Sequence, residues 1–181
     1  METDHTATWS DGESVRLRIV RPTGGTGCPG KPTAGWPLIV YMHGYTADRC
    51  ENMSFASRST MASWGYAVLS FNGRGGPSAG ASACGQLSDA EDGLDDNGRD
   101  YTGPRDKLDI SELIDWVRDN YAPTGCTSNC VNTSAVGLTG FSYGGMRALM
   151  MGVGSAANPQ FDARVDAIAP VAGGMNWDKV P

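Results

Sequence analysis

Apolar and polar positions divide this chain into short, regular pieces. Residues 13–21 alternate, with Val15, Leu17 and Ile19 apolar and Arg16 and Arg18 between them. A period of two predicts a half-buried strand, placed at an antiparallel edge. Leu38, Ile39, Val40, Tyr41 and Met42 run on without a polar break. Such a run predicts a parallel strand covered on both faces, and residues 66–71 read the same way. Residues 53–64 read as a helix closed by Gly65. In residues 109–120, Ile110, Leu113, Ile114 and Val117 fall at i, i+3, i+4 and i+7. That is the stripe of an amphipathic helix, which Pro123 and Gly125 end. A short apolar strand is predicted around Val136 and Leu138, a helix over 146–151, and a last strand over 165–171. Residues 1–11 are polar and expected to fray. Residues 22–37 are rich in Gly, Pro and Thr and read as a loop. Residues 88–105 read as an acidic, irregular surface stretch.

From Leu38 onward strands and helices alternate. That order predicts an α/β fold, with a mostly parallel, doubly wound sheet and helices on both faces. Ligands of such sheets bind beyond the carboxyl ends of the strands. Three segments reach that edge: His43-Gly44-Tyr45, the corner Gly73 to Ser78, and Ser142. No repeat or linker marks a second domain, so the whole of 1–181 reads as one domain.

Ser142 carries the strongest chemical signal. It sits in Gly140-Phe141-Ser142-Tyr143-Gly144, after an apolar strand and before a helix. A serine on a cramped strand-to-helix turn is held in a strained conformation with its hydroxyl pushed outward. Glycines two before and two after leave room for that turn. The helix N-terminus behind it favours an oxyanion. With 25 glycines in the chain the pattern alone could arise by chance; the strand before it and the helix after it make it specific.

Composition narrows the setting. Hydrophobic residues make up 40% and the net charge is -6. A nucleic-acid partner is not expected, and no run approaches a membrane span. Only Lys31, Lys107 and Lys179 are lysines. Together with many Gly, Ser, Thr and Trp this suits a secreted or periplasmic protein. The polar start Met1-Glu2-Thr3 has no leader pattern, so a secreted protein would begin here at a mature or recombinant start. Cys126 and Cys130 bracket a short loop and read as a disulfide, ahead of half a zinc site. Cys28, Cys50 and Cys84 leave the remaining connectivity open. The corner after residue 71 lacks the spacing of a phosphate-binding loop. Asp92, Asp95, Asp96 and Asp100 lack the order of a calcium loop, so a solvated charged stretch is preferred. No metal and no cofactor is called for.

Taken together, His43-Gly44-Tyr45, Asn72 to Ser78, Ile114-Asp115-Trp116-Val117 and Gly140 to Gly145 resemble the α/β-hydrolase superfamily. Within it they are similar to serine hydrolases of the Xaa-Pro dipeptidyl-peptidase and cocaine-esterase type. The likeness covers residues 38–171. It implies an esterase or peptidase with Ser142 as nucleophile and the N–H of Tyr143 as one oxyanion donor. The second donor would be a backbone N–H near Gly44 or Tyr45, or the Tyr45 hydroxyl. His43 would buttress the oxyanion loop. In this superfamily an acid and then a histidine follow the serine. Here no histidine follows Ser142; Asp162, Asp166 and Asp178 do. Asp162 and Asp166 flank the start of a strand, and Asp178 comes earlier than the usual acid. The last strand–helix units of the fold are also missing from the pattern. The expectation is therefore the N-terminal portion of a longer hydrolase, with acid and histidine on a further segment or a second polypeptide. Its partner would be a small ester or peptide substrate. The competing expectation is a hydrolase-fold binding module without activity.

Overall fold

The computed structural model describes residues 1–10, 12, 14–23, 32–44, 57–72, 104–121, 130–152 and 162–172. In chain order the elements are β1 (Glu2–Thr8), β2 (Ser14–Val20), β3 (Trp36–Met42), α1 (Arg58–Ser63) and β4 (Ala67–Phe71). Then follow α2 (Pro104–Tyr121), β5 (Val131–Phe141), α3 (Tyr143–Gly152) and β6 (Val165–Val171). Six strands form one sheet in the order β1-β2-β4-β3-β5-β6. β4, β3, β5 and β6 run parallel; β2 is antiparallel to both its neighbours, β1 and β4. Helices lie on both faces, as expected of the α/β-hydrolase fold.

Strand alternation sorts the core into two layers. Leu38, Val40, Met42, Val136 and Leu138 point to α2 and α3 and join the larger cluster. Ile39, Tyr41 and Val68 point the other way, to Met61 of α1. The predicted stripe of α2 is fully inside: Ile110, Leu113, Ile114 and Val117 are at most 1% exposed. Each contributes about 1.5–3 kcal/mol by burial.

Five sequence expectations are corrected. Residues 2–8 are an edge strand, not a frayed terminus. β1 pairs with β2 over Glu2↔Val20 to Thr8↔Ser14. Its polar character suits an edge: Arg18 pairs with Glu2 and Asp4 at 2.8 Å on one face. On the other face Ala7 is buried, and the His5 ring meets Trp116 and Tyr121 of α2. Trp9 Nε1 donates to the Asp109 carbonyl at 3.3 Å, and Ser10 binds the Glu112 carboxylate. β2 therefore lies inside the sheet, between β1 and β4, and not at its edge.

α1 starts later than the apolar pattern suggests. Ser57 is extended (ψ 161°) and caps the helix, its Oγ accepting from the Thr60 N–H at 3.1 Å. At the other end Gly65 does close it, at φ 95°. Gly65 N–H binds the Ala62 carbonyl and Tyr66 N–H the Met61 carbonyl, the paired bonds of a left-handed helix stop. α2 begins at Pro104, where a residue without an N–H suits the first turn. β5 begins at Val131, and its pairing with β3 jumps from Pro37↔Asn132 to Leu38↔Val136. Residues 133–135 are thus a bulge that disguises the strand's start.

Candidate active site

Four parallel strands end on one edge of the sheet. His43-Gly44 follow β3, Asn72 follows β4, Ser142 follows β5 and Ala172 follows β6. Ser142 is exposed and sits at φ 52°, in the left-handed region. For a residue with a Cβ this costs about 1–2 kcal/mol. Its neighbours hold it there. The Ser142 N–H donates to the Val171 carbonyl at 2.9 Å, and its own carbonyl accepts from the Met146 N–H at 3.0 Å. α3 thus begins at Tyr143, directly after the serine, and not at Met146 as the sequence suggested.

The glycines around the turn answer to steric demands. A Cβ on Gly140 would lie 2.5 Å from the Met42 carbonyl oxygen and 2.6 Å from the Gly144 carbonyl carbon. One on Gly144 would overlap the Met42 carbonyl. One on Gly145 would lie 2.8 Å from the Val171 oxygen. The end of β3 and the end of β6 therefore grip the turn from both sides. Sequence reading placed Gly140 and Gly144 correctly. It missed Gly145 and the Val171 carbonyl, and the doubled glycine at 144–145 was the available signal.

The first intrahelical bond of α3 is donated by Met146, so the N–H groups of Tyr143, Gly144 and Gly145 have no acceptor within the helix. With the helix dipole they make the space beside Ser142 favourable to negative charge. Ser142 N–H is engaged by Val171, so the Tyr143 N–H is the next donor along. Gly44, the other expected donor, follows the end of β3, which pairs with β5. Tyr45 and the corner 73–78 fall outside the described residues, as do Cys126, Asp178 and the aspartates at 92–100. Arg147 lies in the first turns of α3, 5% exposed, with its guanidinium 6.0 Å from the Phe71 ring at the end of β4. A lone arginine in an apolar helix was its signal in the sequence.

Both histidines lie upstream of Ser142, on different strands of the sheet or beyond their ends. His43 is 7% exposed, and its Nδ1 donates to the Gly44 carbonyl at 2.7 Å. That bond fixes the proton on Nδ1 and leaves Nε2 as the acceptor nitrogen. His5 is on β1, four strands from β5, or roughly 19 Å across the sheet at the usual strand spacing. Its Nε2 shares a hydrogen bond with the Tyr121 hydroxyl. Burial and then the Arg21 charge lower its pKa.

The two described acids after Ser142 are at the wrong end of β6. Asp166 Oδ2 accepts from the Val136 N–H at 3.1 Å. It is five residues from Val171, or about 16 Å along a parallel strand. Asp162 binds Arg164 and the Ser111 hydroxyl. Burial pushes its carboxyl up, but the hydrogen bonds from Arg164 and Ser111 win and hold it well below the usual carboxylate range. Arg164 also reaches Asp115 at 2.8 Å, tying α2 to the start of β6. Among the described residues no group of three or more His, Cys, Asp or Glu side chains could hold a metal ion. No described helix is long and apolar enough to cross a membrane.

Comparison with known proteins agrees with this fold. The chain superposes on an α/β-hydrolase, GrgF, from Penicillium sp. sh18, with a TM-score of 0.57 and 17% identity, over 93% of this chain and 44% of that one. An acetyl xylan esterase from Paenibacillus sp. R4 gives 0.56 and 21% identity, over 93% and 48%. An esterase from Pyrococcus furiosus gives 0.57 and 17% identity, over 99% and 52%. At these identities the likeness shows the fold. The chain spans about half the length of each. A search of curated protein sequences found no match. The sequence profile of the X-Pro dipeptidyl-peptidase (S15) family matches residues 11–180, nearly the whole chain. This chain therefore belongs to the X-Pro dipeptidyl-peptidase family, S15.

Proposed function

We propose that these residues are the N-terminal, nucleophile-bearing portion of one serine hydrolase domain that cleaves an ester or peptide bond. The observation that supports this reading best is Ser142 itself: exposed, left-handed, and gripped by backbone from β3, β6 and α3. Such strain persists only where the surroundings enforce it, and it is common at catalytic turns.

In the proposed reaction Ser142 Oγ attacks the carbonyl carbon of the substrate as its proton passes to a base. The carbonyl oxygen takes up the negative charge facing the Tyr143 N–H. A second donor is the Gly44 backbone or Tyr45. Collapse expels the alcohol or amine, which takes the proton from the base, and leaves an acyl group on Ser142. Water, deprotonated by the same base, then releases the acid. The base and its orienting acid come from a segment beyond this sequence or from a second polypeptide. Cys130 is disulfide-bonded. We assign Cys126 as its partner, and with it a secreted or periplasmic setting.

The absence of a histidine after Ser142 in this sequence and the remoteness of His5 favour a second reading, a hydrolase-fold binding module without turnover. Burst kinetics separate the two. The complete polypeptide is mixed with p-nitrophenyl acetate, and a burst of nitrophenol stoichiometric with enzyme is expected. Ser142→Ala should abolish it. Absence of both burst and turnover in the complete polypeptide would favour the binding module.

A further inference from the structure

The two halves of β1 are held to α2 by different chemistry. The second half is anchored by burial and by ordinary hydrogen bonds: Ala7 and Trp9 are inside, Trp9 donates to the Asp109 carbonyl, and Ser10 binds Glu112. The first half relies on His5. Its ring centre lies 5.1 Å from that of Trp116 and 5.7 Å from that of Tyr121. Its Nε2 meets the Tyr121 hydroxyl. Burial raises the Tyr121 pKa above its usual value. The phenol therefore keeps its proton and donates it, and a neutral imidazole accepts. The Arg21 guanidinium lies 4.5 Å from the centre of the same Tyr121 ring. Arg21 is itself tied to the chain start. The Met1 amino group donates to its carbonyl at 2.6 Å, and its N–H donates to the Met1 carbonyl at 2.7 Å.

We propose that His5 is an acid-released latch: its neutral ring holds the first half of β1 on α2, and protonation frees that half while Ala7, Trp9 and Ser10 stay docked. Protonation takes the acceptor nitrogen away from the Tyr121 hydroxyl and sets a second cation beside Arg21. Among the described residues, the charges that act on His5 are Arg21, after β2, and Asp4, in β1. Asp4 is already paired with Arg18. β2 sets the apolar Leu17 opposite His5. On α2, Arg118 pairs with Asp115 and Asp119, and the two rings against His5 are uncharged. Burial and then Arg21 outweigh Asp4, and they lower the His5 pKa. The freed strand thus binds a proton more readily than the docked one. Docking is complete above the ordinary histidine pKa of about 6.5 and drains away as pH falls below it. What the release uncovers is the edge of β2 from Leu17 to Val20, the partners of His5 to Glu2. An uncovered edge is a template for pairing with another strand. None of this rests on the serine-hydrolase reading.

The test is amide hydrogen exchange in the complete natural polypeptide that contains these residues, corrected for the intrinsic pH dependence of exchange. It spans about one pH unit on either side of the ordinary histidine pKa. Amides of the first half of β1 should lose protection several-fold on acidification. Those of Trp9, Ser10 and the buried stripe of α2 should not. His5→Gln keeps an acceptor for the Tyr121 hydroxyl but has no proton to gain in this range. Its β1 protection should no longer change with pH, whatever its level. His5→Phe, which keeps a ring against Trp116, should behave the same way. An NMR titration of the His5 ring should give a midpoint below the ordinary value. Protection that does not fall in the parent overturns the proposal. So does an equal fall in the two variants, or a His5 midpoint at or above about 6.5.

Discussion

Ser142 and the glycines around it act as one steric unit, and they can be tested one atom at a time. A methyl on Gly144 would have to occupy the Met42 carbonyl, which is backbone and cannot rotate away. Gly144→Ala should therefore cost at least about 2–3 kcal/mol, the upper range for overpacking. Reactivity at Ser142 should fall with it, because the turn and the helix N-terminus shift together. Gly137 is the matched control. A Cβ there meets nothing nearer than 3.8 Å. Gly137→Ala should be neutral or stabilising by up to about 1 kcal/mol. Thermal unfolding of the two variants beside the parent checks both. At this scale the sequence was informative because the constraint is local: strand, glycine, serine, glycine and helix adjoin along the chain. It was silent on the Val171 carbonyl and on Gly145, whose reasons come from β6, some twenty-five residues later.

The elements were legible wherever periodicity and burial coincide. Ile110, Leu113, Ile114 and Val117 announced α2, and all four are inside. β1 was hidden because an edge strand held by Arg18 pairs and by contacts to α2 needs few apolar residues. The start of β5 was hidden by its bulge, and that of α1 by an extended Ser57 inside an apolar stretch. The link between α2 and β6 was equally invisible, being built from charges far apart in sequence. Asp162, 7% exposed, holds Arg164 and Ser111, and Arg164 reaches Asp115. Asp162→Asn should cost about 2 kcal/mol, the range for a charged hydrogen-bond partner, or a drop of roughly 4–8 °C in Tm for a domain this size. The pH dependence follows from the sign of the shift. The folded carboxyl ionises at lower pH than the unfolded one. Its stabilisation is thus complete above the unfolded pKa of about 4 and drains away as pH falls further toward the folded value. Urea midpoints measured from pH 6 to pH 2 should decline below about pH 4, and less steeply in Asp162→Asn.

At the scale of the whole molecule, the sheet sets Ser142 and the N-terminal N–H groups of α3 on one edge. The absence of a histidine after Ser142 was legible at once. That His43 donates to the Gly44 carbonyl and His5 stands four strands from β5 emerged only from the fold. The central claim is that the hydroxyl of Ser142 is an activated nucleophile when the domain is complete. The most direct measurement is intact-mass and peptide analysis of the complete polypeptide after exposure to a fluorophosphonate. The account predicts one adduct per molecule, on the peptide containing Ser142, and none in Ser142→Ala. No adduct, or one that persists in Ser142→Ala, would contradict it.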